Sequence, residues 1–322
     1  MAAKACSDSD FVALFEQFGP HKTADKLGVF VRSVYSRRSN LEKKIGRQIT
    51  GPEHRSQTRH NVAHPGRINL EVKDGIVISG GDFHYWPGPP SLMHRAFVKL
   101  IGELNPVAIV LNGDVIDAAS VSRHPPLGWE KMPTLAEEIE VAQERLHEIA
   151  TATKKRGVRK IWCAGNHDSR LETRIATVAP ELAKLHGVHL KDHFALWEPT
   201  WSVCVNDGMD SVIPLVIKHR FKGGNFAPYN NALHAGTHMA TGHLHSAKVI
   251  AHTDYRGTRF GVDLGCVADP NARTFLYAED NPKNWREAFG VFTFRGHQMM
   301  QPELVLKWDE NSVQFRGEVI KV

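Results

Sequence analysis

Val77-Ile78-Ser79-Gly80-Gly81-Asp82-Phe83-His84 is an apolar run that ends in two glycines and then delivers a carboxylate and an imidazole two residues apart. The run has the composition of a buried strand. Side chains at i and i+2 leave an extended chain on the same side, so Asp82 and His84 are expected to reach one metal ion together. A lone D-x-H is common by chance, and this one draws its weight from four further segments downstream. Val110-Leu111-Asn112-Gly113-Asp114-Val115-Ile116-Asp117 and Ile161-Trp162-Cys163-Ala164-Gly165-Asn166-His167-Asp168 have the same build. Val216-Ile217-Lys218-His219 and Ala240-Thr241-Gly242-His243-Leu244-His245 come after them. In each, a predicted strand brings Asp, Asn or His to a turn, and Gly81, Gly165 and Gly242 directly precede the first polar residue, where glycine permits a tight backbone.

The flanking sequence predicts an α/β domain. Ile68 to Val72 and Ile76 to Ser79 read as strands joined by a hairpin-type turn at Lys73-Asp74-Gly75. Helices are expected at 92–104 and 135–155, with buried strands at 107–111 and 158–163. Alternating strands and helices imply a largely parallel sheet with functional residues at the strands' C-terminal ends. Beyond residue 200 the pattern is strand-rich and points to a second sheet packed on the first. Carboxylate, imidazole and amide oxygen without thiolate suit Mn²⁺, Fe or Zn²⁺ in mixed oxygen and nitrogen sites.

Taken together, Asp82-x-His84, Gly113-Asp114-x-x-Asp117, Gly165-Asn166-His167-Asp168, the lone His219 and Gly242-His243-x-His245 resemble the five signature motifs of calcineurin-like metallophosphoesterases, phage and bacterial members in particular. The resemblance implies a four-layer α/β/β/α sandwich. It also implies that Asp82, His84, Asp114 and His245 bind one metal and that Asp114, Asn166, His219 and His243 bind another, with Asp114 as the bridge. Asp117 would stand behind these ligands. The family branch that binds ferric iron has Tyr at that position, so two divalent ions are expected here: Mn²⁺ first, with Zn²⁺, Fe²⁺ or Ni²⁺ as alternatives. The implied activity is phosphoester hydrolysis by a hydroxide shared between the metals. His167 would protonate the leaving oxygen, with Asp168 fixing its tautomer and raising its pKa. Arg170, Arg123 and His124 are expected phosphate contacts, because guanidinium suits bidentate phosphate binding. Tyr85, Trp86, Trp129 and Tyr229 are either surfaces for stacking bases or packing groups.

The N-terminal sixth reads differently. Residues 1–60 hold eleven Lys and Arg against six Asp and Glu, while the whole chain holds 40 against 35, so residues 61–322 are neutral. Short helices are expected at 10–18, 21–27 and 31–45, broken at Gly19-Pro20 and Gly28. Residues 23–38 resemble a helix-turn-helix, which implies that Arg32, Ser33, Ser36 and Arg37 face DNA. Residues 1–49 are thus read as a DNA-binding domain, 50–66 as a linker and 67–322 as the catalytic domain. No apolar run approaches the ~20 residues of a membrane span, so no membrane partner is expected. The polar N-terminus and four scattered cysteines fit a cytoplasmic protein. An oligomer is left open.

The leading expectation is a phosphodiesterase acting on DNA. The neutral catalytic part lacks the surplus charge usual in nucleases. It therefore leaves room for a small-substrate phosphatase or cyclic nucleotide phosphodiesterase whose N-terminal segment serves targeting or assembly. A third reading is a DNA-binding regulator on a phosphoesterase scaffold, against which the completeness of the ligand set argues.

Overall fold

The computed structural model describes residues 6–51, 64–123 and 131–322. The chain divides into two compact units, Met1–Ala63 and His64–Val322. Residues 52–63, most of the expected linker, lie outside the described residues, as do His124 and Trp129.

The first unit is built from α1 (Asp8–Leu27) and α2 (Val31–Ile45). The Ser7 hydroxyl caps α1 by accepting from the Asp10 N–H, and Gly28 ends it in the left-handed conformation. Gly19, at φ 72° and ψ 178°, breaks α1 immediately before Pro20, so the element is two helices in succession. Phe11, Phe15, Ala24, Val34, Leu41 and Ile49 form its core. Arg32, Ser33 and Ser36 are exposed on α2. Arg37 departs from the expected outward-facing set. Its guanidinium donates to the Cys6 carbonyl at 2.7 Å and to Asp8 Oδ1 at 3.1 Å, and it sits 4.6 Å above the Phe11 ring. A cation beside an aromatic face and a helix-start carboxylate finds its partners within the unit.

The second unit has fifteen strands among the described residues: β1 (Arg67–Leu70), β2 (Gly75–Gly80), β3 (Ala108–Leu111), β4 (Arg159–Cys163), β5 (Glu198–Thr200), β6 (Ser202–Val205), β7 (Leu215–Ile217), β8 (His238–Thr241), β9 (Lys248–Asp254), β10 (Gly257–Asp263), β11 (Ala288–Arg295), β12 (Gln298–Met299), β13 (Glu303–Asp309), β14 (Ser312–Phe315) and β15 (Glu318–Lys321). One sheet runs β15-β14-β13-β11-β2-β3-β4-β5, with β12 paired to β11; the other runs β1-β6-β7-β8-β10-β9. From β2 to β5 the first sheet is parallel.

Residues on β2, β3 and β4 alternate between two cores. Val77, Val110, Ile161 and Cys163 face Val203, Val205, Leu215, Ile217, Ala240 and Val262 of the other sheet. Ile78, Ile109, Leu111 and Trp162 belong to a core shared with α3 (Leu92–Leu104) and α4 (Leu135–Ala152). Burial on both faces is why these strands read as continuous apolar runs. Ser91 caps α3, and a capping box of Thr134 and Glu137 opens α4. After β4 comes α5 (Ser169–Val178), and on the far side α6 (Ala227–Ala235) packs against β8, β9 and β10. The layers are helix, sheet, sheet, helix: the expected α/β/β/α sandwich.

Two expectations fail within this frame. β1 and β2 do not form a hairpin. β1 pairs in parallel with β6, and β2 lies in the other sheet. The crossing between them is held by Asn206, whose side chain accepts from the Val72 N–H at 2.7 Å and donates to the carbonyls of Val72 and His297. The late strands do not all join the second sheet either. β11 pairs antiparallel with β2 and carries β13 to β15 outward from it. Its Phe292 and Phe294 enter the inter-sheet core, and Phe289 and Val291 the helix-side core.

Candidate metal centre

The loops after β2, β3 and β4 meet those after β7 and β8. Backbone bonds stitch them together. Asp82 N donates to Gly113 O, and Phe83 N and His84 N both donate to Asp114 O, each at 2.9 Å. Gly242 N donates to His219 O at 2.8 Å. Close approach requires glycine at two points. A Cβ on Gly242 would lie 2.5 Å from Asp82 Oδ2, and one on Gly165 would strike the backbone nitrogen and carboxylate of Asp114.

Asp82, His84, Asp114, His243 and His245 all have positive φ, at 55°, 41°, 50°, 71° and 56°. The extended geometry read from the sequence for Asp82 and His84 is therefore not the one adopted. They converge because each sits in a left-handed turn. Such a conformation costs a non-glycine residue about 1–3 kcal/mol, and that cost concentrates where function needs it.

Two groups of side chains result. Asp82, His84 and His245 place potential ligand atoms within 4.8 Å of one another, and so do Asp114, His219 and His243. Asp114 stands near both, with its Oδ2 3.1 Å from His219 Nε2 and 3.9 Å from His84 Nε2. Asn166 joins the second group, its Oδ1 3.1 Å from His219 Nε2. His243 is the solvent-side member. All seven residues that sequence reasoning singled out as ligands are thus brought together.

The donor set fits divalent cations. His84 Nδ1 is engaged by Asp117 at 3.1 Å, and its Nε2, buried, has no hydrogen-bond partner among the described residues. His245 Nδ1 is likewise buried without a partner among them. His219 Nδ1 donates to the Asn112 carbonyl at 2.8 Å, which fixes the tautomer and turns Nε2 toward two acceptor oxygens. Such an arrangement requires positive charge at that point, either a proton or a cation. Burial opposes a charge on His219, but Asp114 outweighs it and lifts the pKa to about 9. Burial also opposes the Asp114 charge, and His219, His167 and His84 more than compensate, holding its carboxyl well below the usual range.

In a third group, Asp117 stands behind a candidate ligand as expected and also reaches His167, which was not anticipated. Asp117 Oδ1 lies 3.1 Å from His84 Nδ1 and 2.7 Å from His167 Nδ1, so one oxygen orients two imidazoles. Burial disfavours charge on His167, yet the Asp117 hydrogen bond and the Asp114 and Asp117 charges raise its pKa. Arg170 Nη1 donates to the Asp117 carbonyl at 2.7 Å, and Nη2 lies 3.1 Å from His167 Nε2. Arg123 is exposed at the end of its described stretch.

Asp168 does not play the expected part, because its carboxylate is turned to other partners than His167. It accepts from the backbone N–H groups of Asp114, Val115 and Gly165 at 2.9, 2.8 and 2.8 Å, and from Trp162 Nε1 at 3.1 Å. Asp168 is therefore the anchor of the Asp114 loop, and Asp117 is the partner of His167. Burial and the Asp114 charge push Asp168 up to about 6.

Sequence reasoning also missed residues that complete the surroundings. Buried Glu138, on α4, accepts from the N–H groups of Ala118 and Ala119 at 2.6 and 3.2 Å and so holds the turn after Asp117. Asp263, at the end of β10, accepts from Ser246 Oγ at 2.7 Å, directly after His245. Phe275 and Trp285 pack edge-on against the imidazoles, Phe275 against His84 and His245 and Trp285 against His245. Of the aromatic residues expected nearby, Tyr85 is buried against His94 and Tyr229 pairs with His252.

No protein-family model matches the sequence, and no curated protein matches it. Among solved structures the chain is similar to Vps29 of Chaetomium thermophilum, at 10% identity over 77% of this chain and 97% of that one, with a TM-score of 0.39. It is also similar to a dimetal phosphatase from Danio rerio, at 10% identity over 73% of this chain and 96% of that one, with a TM-score of 0.34. Among the described residues, no helix is long and apolar enough to cross a membrane.

Proposed function

We propose that this protein is a phosphoric ester hydrolase that uses two divalent metal ions, Mn²⁺ by preference, and that its substrate is the phosphodiester backbone of DNA. The observation that carries the hydrolase reading is the convergence of buried imidazoles on the carboxylates of Asp82 and Asp114, with His245 Nε2 3.0 Å from Asp82, His219 Nε2 3.1 Å from Asp114, and His84 Nε2, without a hydrogen-bond partner among the described residues, 3.9 Å from Asp114. Asp82, His84, His245 and Asp114 would hold one ion. Asp114, Asn166, His219 and His243 would hold the other. Bound there, the ions supply Lewis acidity to the phosphoryl group and lower the pKa of the attacking water.

The chain's own residues do the rest. Asp117 fixes the rings of His84 and His167 through their Nδ1 atoms. His167 presents Nε2 to Arg170 Nη2 at 3.1 Å and to Asp114 Oδ2 at 3.9 Å; once a phosphate oxygen draws Arg170 away, Nε2 takes a proton and gives it to the departing oxygen. Arg170, anchored on the Asp117 carbonyl, keeps guanidinium donors for a phosphate oxygen.

DNA as substrate is supported by the first unit. Its helices follow the order of a helix-turn-helix, its α2 exposes Arg32, Ser33 and Ser36, and its segment carries the chain's charge surplus. A tethered reader raises the local concentration of DNA at the hydrolase. The test compares the full chain with one lacking residues 1–50, using Mn²⁺ and both DNA and bis-p-nitrophenyl phosphate. The truncated protein should lose DNA affinity and keep hydrolysis of the small ester. Undiminished DNA binding after truncation removes the reader, and absence of hydrolysis on both substrates removes the hydrolase.

A further inference from the structure

Three aromatic side chains from the stretch between β10 and β11 form a wall beside the metal centre. Phe275, 1% exposed, meets His84 at 4.9 Å and His245 at 5.7 Å between ring centroids, both edge-on. Trp285 lies 4.6 Å from His245 and 5.1 Å from Phe275. Tyr277 continues the series, 6.2 Å from Phe275 and 6.5 Å from Trp285. Edge-on packing of this kind holds imidazole planes in place. Only the inner rings serve that purpose, however. Exposure rises from buried Phe275, through half-buried Trp285, to Tyr277 at 56%. An aromatic ring that open adds little to the core, and its apolar surface stays in water until something covers it.

The surroundings indicate what would cover it. Burial around its hydroxyl, then the negative charge of Asp117, push Tyr277 up to about 12, although the residue as a whole is 56% exposed. Lys283 Nζ sits 5.3 Å above the Trp285 ring. Open aromatic surface with a cation alongside matches a nucleic-acid strand, whose bases stack while the neighbouring phosphates meet positive charge.

We propose that Tyr277 and Trp285 are a stacking platform for a nucleobase next to the scissile phosphate, so that the centre selects nucleotide-bearing phosphodiesters over those without a base. This rests on the hydrolase reading and specifies its substrate. Stacking on an aromatic side chain is sequence-tolerant, because every base presents a π-face, and its loss on alanine substitution costs about tenfold in binding.

The test uses the full chain with Mn²⁺ and two substrates, a thymidine dinucleotide and the same phosphodiester with abasic deoxyribose on one side. Wild type should favour the base-bearing substrate in kcat/KM by about tenfold. Tyr277→Ala should abolish most of that preference, and Tyr277→Phe should restore it. A second readout needs neither metal nor turnover: thymidine monophosphate should quench tryptophan fluorescence where deoxyribose 5-phosphate does not, and Trp285→Phe should remove the difference. A preference unchanged in Tyr277→Ala, or equal cleavage of both substrates by wild type, overturns the platform and leaves the hydrolase standing. Cleavage of neither substrate overturns the hydrolase, and quenching that does not distinguish the two phosphates then overturns the platform separately.

Discussion

Replacing Asp117 with Asn is the sharpest test of how the centre is held. One carboxylate oxygen receives His84 Nδ1 at 3.1 Å and His167 Nδ1 at 2.7 Å, and the residue is 5% exposed. An amide keeps the shape but loses the charge, and its nitrogen can turn toward a ring that needs an acceptor. A hydrogen bond to a charged group contributes about 1.5–3 kcal/mol, and a group that orients a metal-binding imidazole is worth about 10- to 100-fold in affinity. On the His84 side, therefore, Mn²⁺ affinity measured by calorimetry should fall about 10- to 100-fold. On the His167 side, a general acid contributes about 10²–10⁴ in rate, and only where the leaving group needs a proton. At saturating Mn²⁺, Asp117→Asn should thus slow hydrolysis of a sugar-alkoxide diester far more than that of a p-nitrophenyl ester. Equal slowing on both substrates would refute His167 as the proton donor. Unchanged Mn²⁺ affinity would refute the orienting role of Asp117 toward His84.

Three other outcomes follow from the geometry. Asp168→Ala leaves several buried N–H groups around Asp114 and Trp162 without an acceptor, so urea unfolding should show a loss of about 4 kcal/mol; a loss within about 1 kcal/mol would contradict the anchoring role. Burial, with Arg259 nearby, lowers His238 to about 4, and His238 Nδ1 accepts from the Phe260 N–H at 3.0 Å. Its stabilising share is complete above the ordinary imidazole value of 6.5 and is lost as pH falls toward 4, by about 3 kcal/mol in all; His238→Asn should flatten the slope of unfolding free energy between about pH 7 and pH 4, and an unchanged slope would remove His238 as its cause. Finally, Mn²⁺ at about a hundred times its dissociation constant should stabilise the fold by about 2.7 kcal/mol over the chelator-treated protein, read as a rise in melting temperature that is reduced in His219→Ala.

The layered fold and the convergence of the seven candidate ligands were legible because each depends on a short, local pattern. Strands buried on both faces are written as apolar runs, and a turn after such a run is where a sandwich of this kind places chemistry. What the sequence hid is what neighbours cannot reveal. Asp168 is next to His167 in the chain, but its side chain turns back to the Asp114 loop, while the carboxylate that reaches His167 belongs to Asp117, on the loop after another strand. Lys73-Asp74-Gly75 has turn chemistry, yet nothing local says that the two strands it joins belong to different sheets. That is decided by Asn206, which holds the crossing from far along the chain. Arg37 reads as a DNA contact by spacing, and its guanidinium also pairs within the unit with Asp8, at the start of the preceding helix. Phe275, Tyr277 and Trp285 carry no spacing signal at all, since they lie beyond the last motif, between strands rather than on one.

The distribution of the candidate ligands over the two sheets gives the centre a further property. Asp82, His84, Asp114 and Asn166 follow strands of one sheet, and His219, His243 and His245 follow strands of the other. Their separation is set by the layer of Val77, Val110, Ile161, Leu215, Ile217 and Ala240 between the sheets. Cores of this density yield little when a side chain changes volume. A change in that layer therefore moves one half of the ligand set against the other. Cations held by both halves would in turn tie the sheets together, which is why ligand binding and resistance to unfolding should rise and fall as one quantity in this protein.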